Sequence, residues 1–64
     1  MADKMCVFIN ITTPVELFYL EKGKFVSIGN NYPPGYYRCY KKPVRYNDQT
    51  FLKLYNTELY IKKQ

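Results

Sequence analysis

The residues of this chain that could do chemistry crowd into one stretch, YPPGYYRCYKKPVRY, from Tyr32 to Tyr46. It carries five tyrosines and four cations (Arg38, Lys41, Lys42 and Arg45), and neither a carboxylate nor a histidine. That mixture suits recognition rather than bond-making. Tyrosine gives a large rigid contact area with a polar tip, and arginine and lysine pair with anions. In an extended chain Tyr36, Arg38, Tyr40 and Lys42 alternate onto one face. Phe51, Lys53, Tyr55 and Tyr60 form a second aromatic and cationic set near the C-terminal end. The candidate binding surface is therefore Tyr36, Arg38, Tyr40, Lys41, Lys42, Arg45, Lys53, Tyr55 and Tyr60.

Nothing comparable suggests catalysis. With no histidine, the commonest general base and metal ligand is missing. The five carboxylates, Asp3, Glu16, Glu21, Asp48 and Glu58, are scattered over strand edges and turns, where solvation or cross-strand pairing accounts for them. No Ser, Cys or Lys has a visible activating base. Gly23, Gly29 and Gly35 are spaced as turn residues and make no phosphate-binding loop. The expectation is a non-enzyme without catalytic residues or a cofactor. Cys6 and Cys39, with no histidine beside them, cannot form a standard structural zinc site within one chain, so no metal is expected either. No secretory signal or membrane-spanning run is visible, which points to a cytoplasmic protein with reduced cysteines and no membrane partner.

The positioning elements follow from composition and pattern. A chain of 64 residues is at most one domain, here residues 1–64. Hydrophobic residues are 47% and aromatics 19%, well outside the composition of disorder. Aromatic and β-branched residues dominate, alanine is nearly absent, and turn residues recur at short intervals. The expected fold is all-β: a small five- or six-stranded antiparallel meander or partly open barrel, SH3-like or OB-like.

A first strand runs from about Lys4 to Thr12, with Met5, Val7, Ile9 and Ile11 on its apolar face, and Thr13-Pro14 ends it. A hairpin about Lys22-Gly23 joins Val15–Glu21 to Lys24–Ile28, setting Glu21 against Lys24, Tyr19 against Val26 and Leu17 against Ile28. One face of it carries Val15, Leu17, Tyr19, Val26 and Ile28, the other Phe18, Leu20 and Phe25. Two apolar faces imply a hairpin sandwiched in a barrel, or a second face that serves as a docking patch, and the first reading is preferred. The stretch GNNYPPG reads as a loop with a type II turn at Pro34-Gly35. A fourth strand covers Tyr36 to about Lys42, ended or bulged by Pro43, and Val44–Tyr46 continues it. A last hairpin about Asn56-Thr57 sets Leu54 against Leu59 and Leu52 against Ile61, all four buried, with Phe51, Lys53, Tyr55 and Tyr60 behind them.

Ten cations against five carboxylates give a formal charge of +5, which favours acidic partners. A codon-level effect tempers this. Residues with A/T-rich codons, led by 8 tyrosines and 4 phenylalanines, outnumber those with G/C-rich codons, so base composition alone accounts for part of the enrichment. Three binding readings remain. The first is an accessory or inhibitor-type protein, of the kind viruses and mobile elements encode, docking its basic tyrosine-rich face onto an acidic surface of a larger protein. The second is a barrel that stacks single-stranded nucleic acid on its aromatics. The third, an SH3-like groove for proline-rich peptides, ranks last because its charge has the wrong sign. Edge strands and a small core also leave a homodimer open.

Overall fold

Turn chemistry sets the reversals of the chain. The computed structural model describes residues 6–63, which contain seven strands and no helix. Lys22 (φ 51°) and Gly23 (φ 77°) both occupy left-handed backbone. That is the two-residue turn whose twist suits a hairpin, and it joins β2 (Val15–Glu21) to β3 (Lys24–Tyr32). Asn47 (φ 48°) and Asp48 (φ 61°) repeat the device between β5 (Val44–Tyr46) and β6 (Gln49–Lys53). The reversal into β7 (Leu59–Lys63) takes four residues. The Leu54 N–H donates to the Leu59 carbonyl at 2.9 Å, and the Thr57 hydroxyl accepts from the Leu59 N–H at 3.0 Å.

All pairings are antiparallel. Five strands form one sheet in the order β3-β2-β7-β6-β5, and β1 (Cys6–Ile11) pairs with β4 (Gly35–Tyr40) in a separate ribbon. The sheets do not close into a barrel. They are stitched at one place, where Cys39 bridges Leu54 and the Tyr55 N–H donates to the Arg38 carbonyl at 2.8 Å. Strands β4 and β5 thus lie end to end along the same edge of β6, and Val44 takes up the pairing at Phe51. Lys41, Lys42 and Pro43 form the corner between them, because proline cannot donate to a ladder. This corner separates Val44–Tyr46 as its own strand and raises the strand count to seven.

Two cores result. The first is aliphatic: Val15, Leu17, Leu52, Leu54, Ile61 and the fully buried Cys39, with Ile9, Ile11, Tyr32, Tyr37 and Leu59 packed against them. The ribbon lies over one face of the five-stranded sheet and brings the Ile9 and Ile11 side of β1 inward. The second is aromatic and lies on the opposite face of the sheet. Phe51 is only 2% exposed although no second layer covers it. Its lid is made of rings: Phe25 stacks on it at 4.1 Å, Phe18 meets it edge-on at 5.0 Å, and Tyr46 and Tyr60 pack edge-on against Phe25. Phe25 and Tyr46 belong to β3 and β5, the two edge strands, so the sheet coils until its edges face one another through side chains.

The expected strands from Val15 to Glu21, the two-residue turn and the final hairpin register are observed, including Leu52 against Ile61 and Lys53 against Tyr60. Five expectations differ. Strand β4 ends at Tyr40 rather than about Lys42, so Lys42 lies in the corner and does not continue the face of Tyr36, Arg38 and Tyr40. Leu17 pairs with Gly29 rather than Ile28, because β3 bulges there and turns Ile28 out to 40% exposure. Strand β3 continues through Asn30 and Asn31 to Tyr32, which pairs with Val15, so only Pro33 and Pro34 of GNNYPPG lie outside strands. Gly35 has φ 148° and opens β4 opposite Ile11, without a type II turn, since this connection crosses between sheets instead of reversing within one. Leu59 is half-buried, at the margin of the core. Lys4 and Met5 lie outside the described residues.

Leu54 sits at the stitch between the sheets and is 8% exposed. Leu54→Ala is expected to cost about 2–5 kcal/mol, most of what a domain this small possesses. Urea denaturation followed by circular dichroism measures it, and a loss under about 1 kcal/mol would show that the aliphatic core does not hold the sheets together.

Candidate binding face

The stitch that joins the sheets also assembles the candidate residues. With Cys39 opposite Leu54, strand alternation turns Arg38 toward Tyr55 and Tyr40 toward Lys53, on the outer face. The side chains meet as this pairing dictates. The Arg38 guanidinium carbon lies 3.9 Å from the centre of the Tyr55 ring. The Tyr55 and Tyr40 rings are 5.4 Å apart, and the Lys53 ammonium stands over the Tyr40 ring at 5.6 Å. Cation, ring, ring and cation form a continuous array across two strands. Each cation–ring contact is worth about 0.5–1 kcal/mol at an exposed site, so the array is ordered without being a core.

The neighbouring residues extend it. On β1, Phe8 lies opposite Arg38, making a row Phe8, Arg38, Tyr55 across two strands and the start of the β6–β7 turn. Tyr36, two residues before Arg38 on β4, is 74% exposed, and Phe8 is 68% exposed. Tyr60 continues the next row on β7 opposite Lys53 and is held against Phe25 in the aromatic core. It therefore borders the array as part of the support beneath it. Lys41 and Lys42 are exposed at the β4–β5 corner beside Tyr40. Arg45 pairs with Thr50, so it shares the face of Leu52 and lies away from the array.

Phe8 is the functional candidate missed from the sequence. Its signal was its phase. In CVFINI the apolar face is Val7, Ile9 and Ile11, and Phe8 falls on the other side, where a buried-face pattern expects a polar residue.

The carboxylates among the described residues are Glu16 and Glu21 on β2, Asp48 in the β5–β6 turn and Glu58 in the β6–β7 turn. Of the seven strands only β2 carries any, and Glu58 shares its turn with Tyr55. No cluster of His, Cys, Asp or Glu among the described residues could hold a metal ion. A cleft of about 220 Å³ between Ile11, Pro14, Glu16, Asn30 and Lys62 lies away from the array and is smaller than the roughly 300 Å³ at which small-molecule sites begin.

The chain matches no family model, no curated protein and no solved structure. What the array can do is therefore read from its own chemistry.

Cys39 belongs to the support and not to the face. It pairs with Val7 while Cys6 pairs with Tyr40, so the two sulfurs fall on opposite faces of the ribbon. Burial, and secondarily the neighbouring Cys6, pushes the Cys39 thiol from 9.0 up to about 11. The native state thus keeps its proton where the unfolded chain gives it up. The resulting stability is fully present below pH 9 and is lost as pH rises from there to about 11. Thermal melts across this window should show Cys39→Ala losing stability less steeply than the wild type. Parallel losses would mean that the thiol ionises in the folded protein as readily as in the unfolded one.

Proposed function

We propose that this protein is a non-enzymatic binding protein of the accessory or inhibitor type, which docks its tyrosine-rich basic face onto an acidic surface of a larger protein. The observation that carries the reading is the occupancy of the ring faces. Arg38 covers Tyr55, and Lys53 stands over Tyr40. A platform for single-stranded nucleic acid needs free ring faces on which successive bases stack, with cations beside them to meet the phosphates. Here the cations lie on the two central rings. What they offer a partner is a flat, semi-rigid surface of aromatic edges and charged donors, with Phe8 and Tyr36 standing proud beside it. Tyrosine and arginine dominate the energetics of protein interfaces for this reason.

The excess of ten cations over five carboxylates supports the same reading. A cationic face is drawn to an acidic surface, and its charges chiefly set the association rate while the rings hold the complex. The small size of the chain and its stabilised, preordered face suit a protein that acts by occupying a site on something larger.

The test is affinity capture from the natural source with and without nuclease, followed by titration of the captured component against variants. Tyr40→Ala is expected to weaken binding more than Lys42→Ala, and binding should persist at moderately raised salt. Micromolar binding to random oligonucleotides that falls with salt at a log–log slope near 0.7 per phosphate contact would overturn the proposal in favour of single-stranded nucleic acid.

A further inference from the structure

We infer that Arg38 is the anchor of this face, receiving a carboxylate side chain from an extended segment of the partner in which acidic and apolar residues alternate. The inference rests on the docking reading above and names the chemistry of what docks.

Arg38 occupies the middle of the row Phe8, Arg38, Tyr55. Its guanidinium carbon lies 3.9 Å from the centre of the Tyr55 ring, so the ring takes up one side of the group. The N–H donors lie around the edge of the plane and remain for an acceptor with two oxygens in matching geometry. Seating the head group on a ring also removes much of the rotamer freedom that binding would otherwise have to quench.

The apolar half of the recognition comes from Phe8 and Tyr36, 68% and 74% exposed. Tyr36 and Arg38 are two residues apart on one strand and point the same way. An extended peptide lying alongside repeats its side chains at the same interval of roughly 6.6 Å, so alternate carboxylate and apolar side chains fall in register with the cation and the ring. Nucleotides have no such match to a strand. A second copy of this chain is a poor occupant, because it would bring Arg38, Lys41, Lys42 and Lys53 against the same four cations. The absence of carboxylates on β1, β4 and β6 leaves the anchor without a competing internal partner on its own strands.

The experiment uses the full chain, isotope-labelled, titrated in nuclear magnetic resonance with three probes: a dodecapeptide alternating glutamate and leucine, an equally charged one alternating glutamate and serine, and a twelve-nucleotide oligothymidine. The expected result is that the glutamate–leucine peptide binds tightest and shifts the Arg38 Nε–H signal together with the amides of Phe8 and Tyr36. Arg38→Lys keeps the charge but loses the fork, and should weaken this peptide about tenfold or more. Phe8→Ser, an exposed change that leaves both cores intact, should bring the leucine peptide down to the affinity of the serine one. Melting temperatures equal to the wild type confirm that both variants are folded. If the acidic peptides bind and Arg38→Lys binds equally well, the anchor is wrong while docking survives. Equal affinity for the leucine and serine peptides likewise overturns the alternating-segment inference. Tighter binding of the oligothymidine overturns it together with the docking reading.

Discussion

One short backbone contact connects the two halves of this molecule. Among the described residues the Cys39–Leu54 bridge, with the Tyr55 N–H donating to the Arg38 carbonyl, is the one point at which the ribbon of β1 and β4 joins the five-stranded sheet through main-chain pairing. It fixes two things at once. Inward, it lays the ribbon over the sheet and buries Cys39 among Val15, Leu17, Leu52, Leu54 and Ile61. Outward, because alternate side chains point to opposite faces, the same register places Arg38 beside Tyr55 and Tyr40 beside Lys53. A slip of one residue would expose the thiol and bury the arginine. The aliphatic core therefore enforces the register on which the proposed binding face depends, so stability and the geometry of that face cannot be varied independently here.

Aromatic residues serve two separate purposes in so small a chain. A domain of this length cannot build two layers on both sides of a sheet. It solves the problem on one side with the ribbon and on the other by coiling the sheet, so that Phe25 from one edge reaches over Phe51 and meets Tyr46 from the other edge. Offset and edge-on ring pairs contribute about 0.5–1.5 kcal/mol each beyond their buried area. The cluster also answers the edge-strand problem in part, since rings draw the two edges toward each other where backbone pairing does not close them. Tyr60 links this cluster to the outward array through its register with Lys53, so the face rests on a packed floor.

Much of this was legible in the sequence, and the exceptions share a cause. The turn at Lys22-Gly23 and the hairpin register of Leu52 with Ile61 are local, set by backbone preference and period-two patterning within a few residues. The hairpin of β2 and β3 was also read correctly as apolar on both faces, though its second face is covered by rings and leaves Leu20 47% exposed. What could not be read were consequences of partners distant in sequence. The bulge that turns Ile28 outward and the continuation of β3 to Tyr32 follow from the fit of that strand to β2 as the sheet coils. Gly35 opens a strand because β4 joins a different sheet. In the candidate site, the clustering of Arg38, Tyr40, Lys53 and Tyr55 needed the Cys39–Leu54 bridge, a separation of fifteen residues that no spacing rule encodes. Arg45 falls outside the set for a simpler reason: it is an odd-numbered position like the buried Cys39, and the Pro43 corner keeps the phase, since Val44 pairs with Phe51 on the face of Lys53.

Phe8 is informative because it runs against the economy of a small domain. Fully burying a phenylalanine side chain gains about 1.5–3 kcal/mol, a sum that a chain of this size can rarely forgo. The fold leaves Phe8 and Tyr36 out while spending other aromatics on a lid for Phe51. Burying them would need a further layer over the outer face, which would also cover Arg38 and Lys53 and desolvate two cations without partners. The two rings and the two cations thus stand or fall together as one exposed surface. Its positive field opposes self-association, which is the usual hazard of an exposed apolar patch, and leaves it available to a partner of opposite charge. An A/T-rich coding bias can enrich a chain in tyrosine and lysine, but it does not bring Arg38, Tyr40, Lys53 and Tyr55, from segments fifteen residues apart, into one ring-and-cation array. That juxtaposition, rather than the abundance of tyrosine, is the physical ground for treating the face as a candidate binding surface.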